Sequence, residues 1–201
     1  MLIPAAGTAR RMRGTDKLLE HVKGRPLLAL LAARAGAAGC DVLVTLRPGD
    51  TARRAALRGC DVRIAEVADA AEGMSASLRA GAAAATGRAG LLVLPADMPE
   101  IEMADIAAMR AVFLAAAEPR PILRATGADG QPGHPVILPA RLFPEVLAVR
   151  GDAGAREVLR AHRSEIVAHP LPGRRAVTDL DTPEAWEAWR AAREGGARDT
   201  P

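Results

Sequence analysis

Residues 4 to 19 read PAAGTARRMRGTDKLL and bring Gly7, Gly14, Arg10, Arg11, Arg13 and Lys17 into one short loop. Such a loop suits an anion, because a bare backbone offers N–H groups at close range and the side chains supply charge. Three other stretches carry residues able to do chemistry. The apolar run AGLLVLPADMP has the pattern of a buried parallel strand that delivers a carboxylate, Asp97, at its end. The loop ATGADGQPGHP holds Gly133 and His134, and TDLDTPEAW holds Asp179 and Asp181. Two familiar phosphate loops are excluded: no Gly-Lys-Ser/Thr follows Gly7 at the needed spacing, and Ala9 stands where a dinucleotide fingerprint has its second glycine.

Each of these residues also has a plainer reading. Arg11 and Arg13 could belong to a solvated turn. Asp97 could cap the helix beginning near Glu102. His134 could be a structural hydrogen-bonding group. Ser75 and Ser77 read equally as helix caps or as ligand contacts, and Asp179 and Asp181 precede Thr182-Pro183, a helix start that should take at least one of them as its cap.

The elements that must position these groups alternate along the chain. MLIPAA reads as a strand, and PLLALLAARAGAAG as a helix opened by Pro26 and closed by Gly39. Strands DVLVTL and DVRIAEV each follow the phrase GCDV begins, with a helix at 50 to 58 between them and an Ala-rich helix at 73 to 86 after them. Beyond the strand ending at Asp97 come a helix at 102 to 117, strands near 121 to 126 and 134 to 139, and helices near 140 to 148 and 153 to 162. A strand pair near 165 to 179 and a helix from Pro183 complete the order. This predicts an α/β fold with helices on both faces of a mostly parallel sheet, and ligands beyond the carboxyl ends of the strands.

Composition narrows the class further. With 49% hydrophobic and 25% charged residues, the 201-residue chain reads as one globular domain. The net charge of +3 points to no polyanionic partner, and 2% aromatic residues leave few rings for base stacking, so nucleic acid is not expected. No apolar run approaches the roughly 20 residues of a membrane span, and the first residues lack the makings of a signal peptide, so a cytoplasmic protein with no membrane association is expected. Cys40 and Cys60 are the chain's two cysteines and, with no CxxC and no clustered Cys or His, read as small buried hydrophobes. All but two of the 27 basic residues are arginine; Lys17 and Lys23, in and just after the opening loop, are the exceptions.

The opening loop resembles the A-A-G-x-S-x-R-M-G motif, followed by K-L-L, of the molybdenum cofactor nucleotidyltransferases, the MobA-like NTP transferases. Ala5, Ala6, Gly7, Arg11, Met12, Lys17, Leu18 and Leu19 match; Ala9, Arg13 and Pro4 depart from the pattern. EGMSASLRAG from Glu72, LPADMPEI, GQPGHPVIL and TDLDTPEAW match further family motifs in order, with Ala96 standing before Asp97 where the family has glycine. The resemblance implies a three-layer αβα, Rossmann-like nucleotidyltransferase domain over residues 1–194, with 195–201 a disordered tail.

It also implies chemistry. Transfer of a nucleotide to a phosphate meets a pile of negative charge, so cations and amides matter more than a general base. The implied catalytic groups are Arg11, Lys17 and Asp97; the nucleotide would lie on Ala5, Ala6, Gly7, Arg11, Lys17 and Ser77; the acceptor would meet Gly133 and His134. Mg²⁺ is the implied cofactor, held by Asp97 with Asp179 or Asp181. The implied substrates are an NTP and molybdopterin, with a molybdenum hydroxylase as a partner for the product. The resemblance favours CTP over GTP, because guanylyl-transferring members resemble L-A-G-G where this chain has the A-A-G of the cytidylyl-transferring ones, and the methyl of Ala6 would narrow a slot that glycine leaves wide. Two alternatives stand beside this reading: transfer to another small phosphorylated acceptor, and a non-catalytic protein that inserts cofactor into a molybdoenzyme.

Overall fold

Residues that are apolar on successive positions form the central strands, because each strand is covered by helices on both faces and cannot show the alternation of a half-exposed sheet. The computed structural model describes residues 1–8, 10–69, 73–151 and 154–196. The departure at Ala9, the motif's first residue Glu72, the start of the helix expected at 153 and the tail from 197 onward lie outside the described residues.

The elements in chain order are β1 (Leu2–Pro4), β2 (His21–Val22), β3 (Arg25–Pro26), α1 (Leu27–Ala37), β4 (Leu43–Leu46), α2 (Thr51–Ala56), β5 (Arg63–Glu66) and α3 (Met74–Ala84). They continue as β6 (Gly90–Val93), α4 (Met103–Ala115), β7 (Ile122–Thr126), β8 (Pro132–Pro139), α5 (Phe143–Ala148), α6 (Arg156–Ala161), β9 (Ile166–Pro170) and α7 (Pro183–Gly196). Seven strands form one sheet in the order β5-β4-β1-β6-β8-β7-β9. Among them only β8 runs antiparallel to its neighbours, so the sheet is mixed and mostly parallel. Leu2 of β1 sits between Leu43 of β4 and Val93 of β6, which puts the carboxyl ends of these three strands side by side.

Two cores sandwich the sheet. Leu27 and Leu31 of α1, Ile106 and Phe113 of α4 and Trp186 of α7 pack on one face; Leu78 of α3, Val146 of α5 and Val158 of α6 pack on the other. That is the expected three-layer arrangement in a single domain. Gly39 and Gly59 adopt positive φ of 76° and 77° between helix and strand, the left-handed conformation that their place in the repeated GCDV phrases calls for. Cys40 and Cys60 are unpaired thiols packed half-buried against the first core. Among the described residues no helix is long and apolar enough to cross a membrane.

Three local readings change. The strand pair expected near 165 to 179 is one strand, β9: its ladder ends where Leu171 N–H reaches Thr126, and Pro172 with Gly173 (φ 58°) turns the chain into a 3-10 turn at Arg175–Val177. The helix expected near 140 to 148 begins as a separate 3-10 turn at Ala140–Leu142. The hairpin β2–β3 escaped the sequence reading; Lys23 (φ 52°) and Gly24 (φ 76°) form its two-residue turn, which needs positive φ at both positions. Lys23 therefore stands at a turn, where it pairs with Glu102 at 3.4 Å.

Candidate active site

The opening loop is anchored at both ends by apolar side chains: Met12 in the 3-10 turn Arg10–Met12 and Leu18 beyond it are buried in the first core. Between them the chain brings Lys17 under the ends of β1 and β6. Its Nζ donates to Asp97 Oδ2 at 2.6 Å and to Asp181 Oδ1 at 2.5 Å, joining groups 80 and 164 residues apart in sequence. Arg11 Nη1 donates to the other oxygen of Asp181 at 2.6 Å, with its own side chain largely exposed. The segment before α7 reaches this place because Leu180 N–H bonds the carbonyl of Asp97 at 3.0 Å. Arg34 of α1, buried, steadies the chain after Asp97 by donating to the carbonyls of Pro99 and Ile101 and pairing with Glu102.

The electrostatics follow from this packing. Burial works against the charge on Lys17, but Asp97 and Asp181 outweigh it and hold the ammonium above its ordinary pKa. Burial likewise pushes Asp181 up, and the hydrogen bonds and charges of Lys17 and Arg11 more than reverse that, leaving its carboxyl below the usual range. Lys17 and Asp181 are therefore both charged at neutral pH.

Beside this cluster lies a cleft with a cavity volume of about 190 Å³, lined by Ala5, Ala6, Gly7, Lys17, Ser77 and Asp97 among others. A Cβ at Gly7 would meet no atom within 4 Å, so the glycine leaves room in the cleft. Ser77 on α3 is buried and accepts a hydrogen bond from Thr45 of β4 at 2.8 Å. On β8, Gly133 packs directly under the Arg175–Val177 turn, and its carbonyl accepts from Arg124 at 3.2 Å. His134 follows; burial first and the charge of Arg124 second lower its pKa to about 4 against the opposing field of Asp97, so the ring is neutral at pH 7.

Several plainer readings are now decided. Asp97 does not cap α4; Glu102 does, in a capping box with Asp105. Neither Asp179 nor Asp181 caps α7, because Thr182 Oγ1 takes the N–H of Ala185 instead. Of the two acids, Asp181 joins the cluster, whereas Asp179 is exposed and makes no side-chain bond among the described residues. Gly73 occupies the N-cap of α3 without a side-chain cap, and Ser75 donates to the carbonyl of Gly151. Arg13 turns away to Glu184 at the surface. Sequence reading missed Arg34, Arg53, Asp16 and Arg124, which meet the site only through folding and carry no local signal.

The donor set fits a hard divalent cation. Asp97 Oδ1 is buried without a hydrogen-bond partner, and Asp181 supplies a second carboxylate across Lys17. Among the described residues no group of three or more His, Cys, Asp or Glu could hold a metal alone. Water and phosphate oxygens would complete the coordination, as is usual for Mg²⁺ in phosphoryl chemistry.

An α/β protein that gathers loop amides, a lysine and two carboxylates around one cleft at its strand ends is of the phosphate-handling class. More specifically, the chain belongs to the family described as MobA-like NTP transferase domain, whose model matches residues 1–166, and it is a nucleotidyltransferase of that kind. Nicotine blue oxidoreductase of Paenarthrobacter nicotinovorans is 30% identical over 168 residues, covering 78% of each chain. Molybdenum cofactor guanylyltransferase of Rhodopseudomonas palustris (strain HaA2) is 42% identical over 77 residues, 38% of this chain and 33% of that one. A crystal structure of Rv0371c from Mycobacterium tuberculosis H37Rv, complexed with manganese, superimposes with a TM-score of 0.72 at 26% identity, covering 93% of this chain and 95% of that one.

Proposed function

We propose that this protein transfers CMP, in preference to GMP, from the NTP to the terminal phosphate of molybdopterin. In that reaction an oxygen of the acceptor phosphate bonds to the α-phosphorus, the bond from that phosphorus to the bridging β-oxygen breaks, and pyrophosphate leaves. The observation that carries the reading is Lys17 held between Asp97 and Asp181 at the rim of a cleft floored by Ala5, Ala6 and Gly7. Lys17 and Arg11 would neutralise the phosphates, with loop amides donating to their oxygens. Mg²⁺ on Asp97 and Asp181 would supply further charge neutralisation at the phosphoryl oxygens. Neutral His134 would accept or donate one hydrogen bond at the acceptor without adding charge, and Gly133 would hold it in place.

Support for CMP rests on the methyl group of Ala6, which is buried and lines the cleft. The named guanylyltransferase relative favours the purine instead, so the two bases must be compared directly. A cytoplasmic location and delivery of the product to a molybdenum hydroxylase belong to the same proposal. The relative named as an oxidoreductase favours a second reading, in which the fold serves a redox reaction and no NTP is split.

The test is pyrophosphate release from each NTP with Mg²⁺ or Mn²⁺, with and without molybdopterin. Release with CTP that depends on molybdopterin supports the proposal. Release only with another phosphorylated acceptor removes molybdopterin and keeps the transfer chemistry. No release with any NTP and acceptor leaves the redox or cofactor-insertion readings.

A further inference from the structure

Arg53 on the short helix α2 is 2% exposed, and the hydrogen bonds of its guanidinium go to the opening loop. Nε and Nη2 donate to the two oxygens of Asp16 at 2.7 and 3.0 Å, a bidentate pair one residue before Lys17. Nη1 donates to the carbonyls of Ala5 and Gly7 at 2.7 and 2.8 Å, which flank Ala6. Asp50 lies 3.6 Å from Nε and adds a second negative charge, so the buried cation is compensated.

This geometry fixes more than position. In a trans peptide the carbonyl of one residue and the N–H of the next point in opposite directions. Drawing the carbonyls of Ala5 and Gly7 to Arg53 therefore turns the N–H groups of Ala6 and Thr8 away from it. Neither N–H has a hydrogen-bond partner among the described residues, while Ala5 N–H is taken by Thr45. Ala6 and Thr8 both line the cleft.

We propose that Arg53 is a positioning residue which presets the loop for the NTP, keeping the Ala6 and Thr8 amides free as phosphate donors and fixing Lys17 through Asp16. The inference rests on the transfer reading above. Arg53 touches no substrate; it acts through the backbone, and a planar fork with several donors is what that geometry needs, so lysine cannot replace it.

The test compares Arg53→Lys and Arg53→Ala with the wild type and with Arg54→Ala, a control whose side chain is about half exposed and pairs with Glu66 on the surface. Far-ultraviolet circular dichroism and melting establish folding; calorimetric titration of NTP with Mg²⁺ and steady-state kinetics follow. Both Arg53 variants should bind NTP about tenfold more weakly or worse and turn over more slowly, with the acceptor KM unchanged. Millimolar guanidinium should partly restore NTP binding to Arg53→Ala, which a general loss of fold would not allow. If Arg53→Ala does not fold, Asp16→Asn should still weaken NTP binding severalfold, because it loosens the fork from one side. Folded Arg53 variants that bind NTP within twofold of the wild type would overturn the inference alone. A wild-type protein that neither binds nor splits any NTP would overturn the transfer reading, and this inference with it.

Discussion

His134 should make the protein acid-sensitive in a defined window. Its ring sits half-buried on β8 next to Gly133, with Arg124 close by, and its pKa falls from 6.5 to about 4 on folding. A lowered folded value means that the unfolded chain binds the proton more readily, so stability is complete above pH 6.5 and is lost as pH falls toward 4. At about 1.4 kcal/mol per pH unit the full effect is about 3 kcal/mol, and by pH 5 about 2 kcal/mol of it is gone. Another group titrates in the same range: His162 at the surface is raised by Glu165 and Glu145 and acts in the opposite sense. The comparison must therefore be a double difference. Urea denaturation of the wild type and His134→Gln at pH 7 and pH 5 removes every group the two proteins share. The wild type should lose about 2 kcal/mol more than the variant between the two pH values. A double difference below about 0.5 kcal/mol would refute the desolvation of this histidine.

Three further outcomes are expected. Gly133→Ala places a Cβ 1.9 Å from the carbonyl oxygen of Ala176, backbone against backbone, so melting should report a loss of about 1–3 kcal/mol or more; near-native stability would mean that the Arg175–Val177 turn yields freely. Asp97→Asn keeps the shape and removes the charge beside Lys17, so turnover at saturating Mg²⁺ should fall about 100-fold or more with a modest change in melting temperature, and near-normal turnover would remove Asp97 as the metal-binding acid. Ala6→Gly should move the ratio of CTP to GTP turnover efficiency toward GTP by about tenfold; a ratio that stays put, or a wild type already favouring GTP, places base selection elsewhere.

Sequence alone determined the alternation of strands and helices, because continuous apolar runs and glycine-marked helix ends are local signals that packing later confirms. It also singled out Lys17 and Asp97, since a cation in a glycine-bearing loop and an acid ending a buried strand are legible one segment at a time. It did not separate Asp181 from Asp179. Both precede the same helix, and only the bond from Leu180 to the Asp97 carbonyl turns one carboxylate to Lys17 and leaves the other in solvent. Nor could it find Arg53 or Arg124. An arginine in a helix or strand reads as a surface residue until the fold buries it, and whether it meets solvent or a carbonyl is decided by chain segments many residues away. The single strand β9 has the same origin. The residues after Pro170 are apolar enough for a second strand, but Leu171 bonds back to Thr126 and the chain then closes over Gly133, where the tertiary contact outweighs local preference.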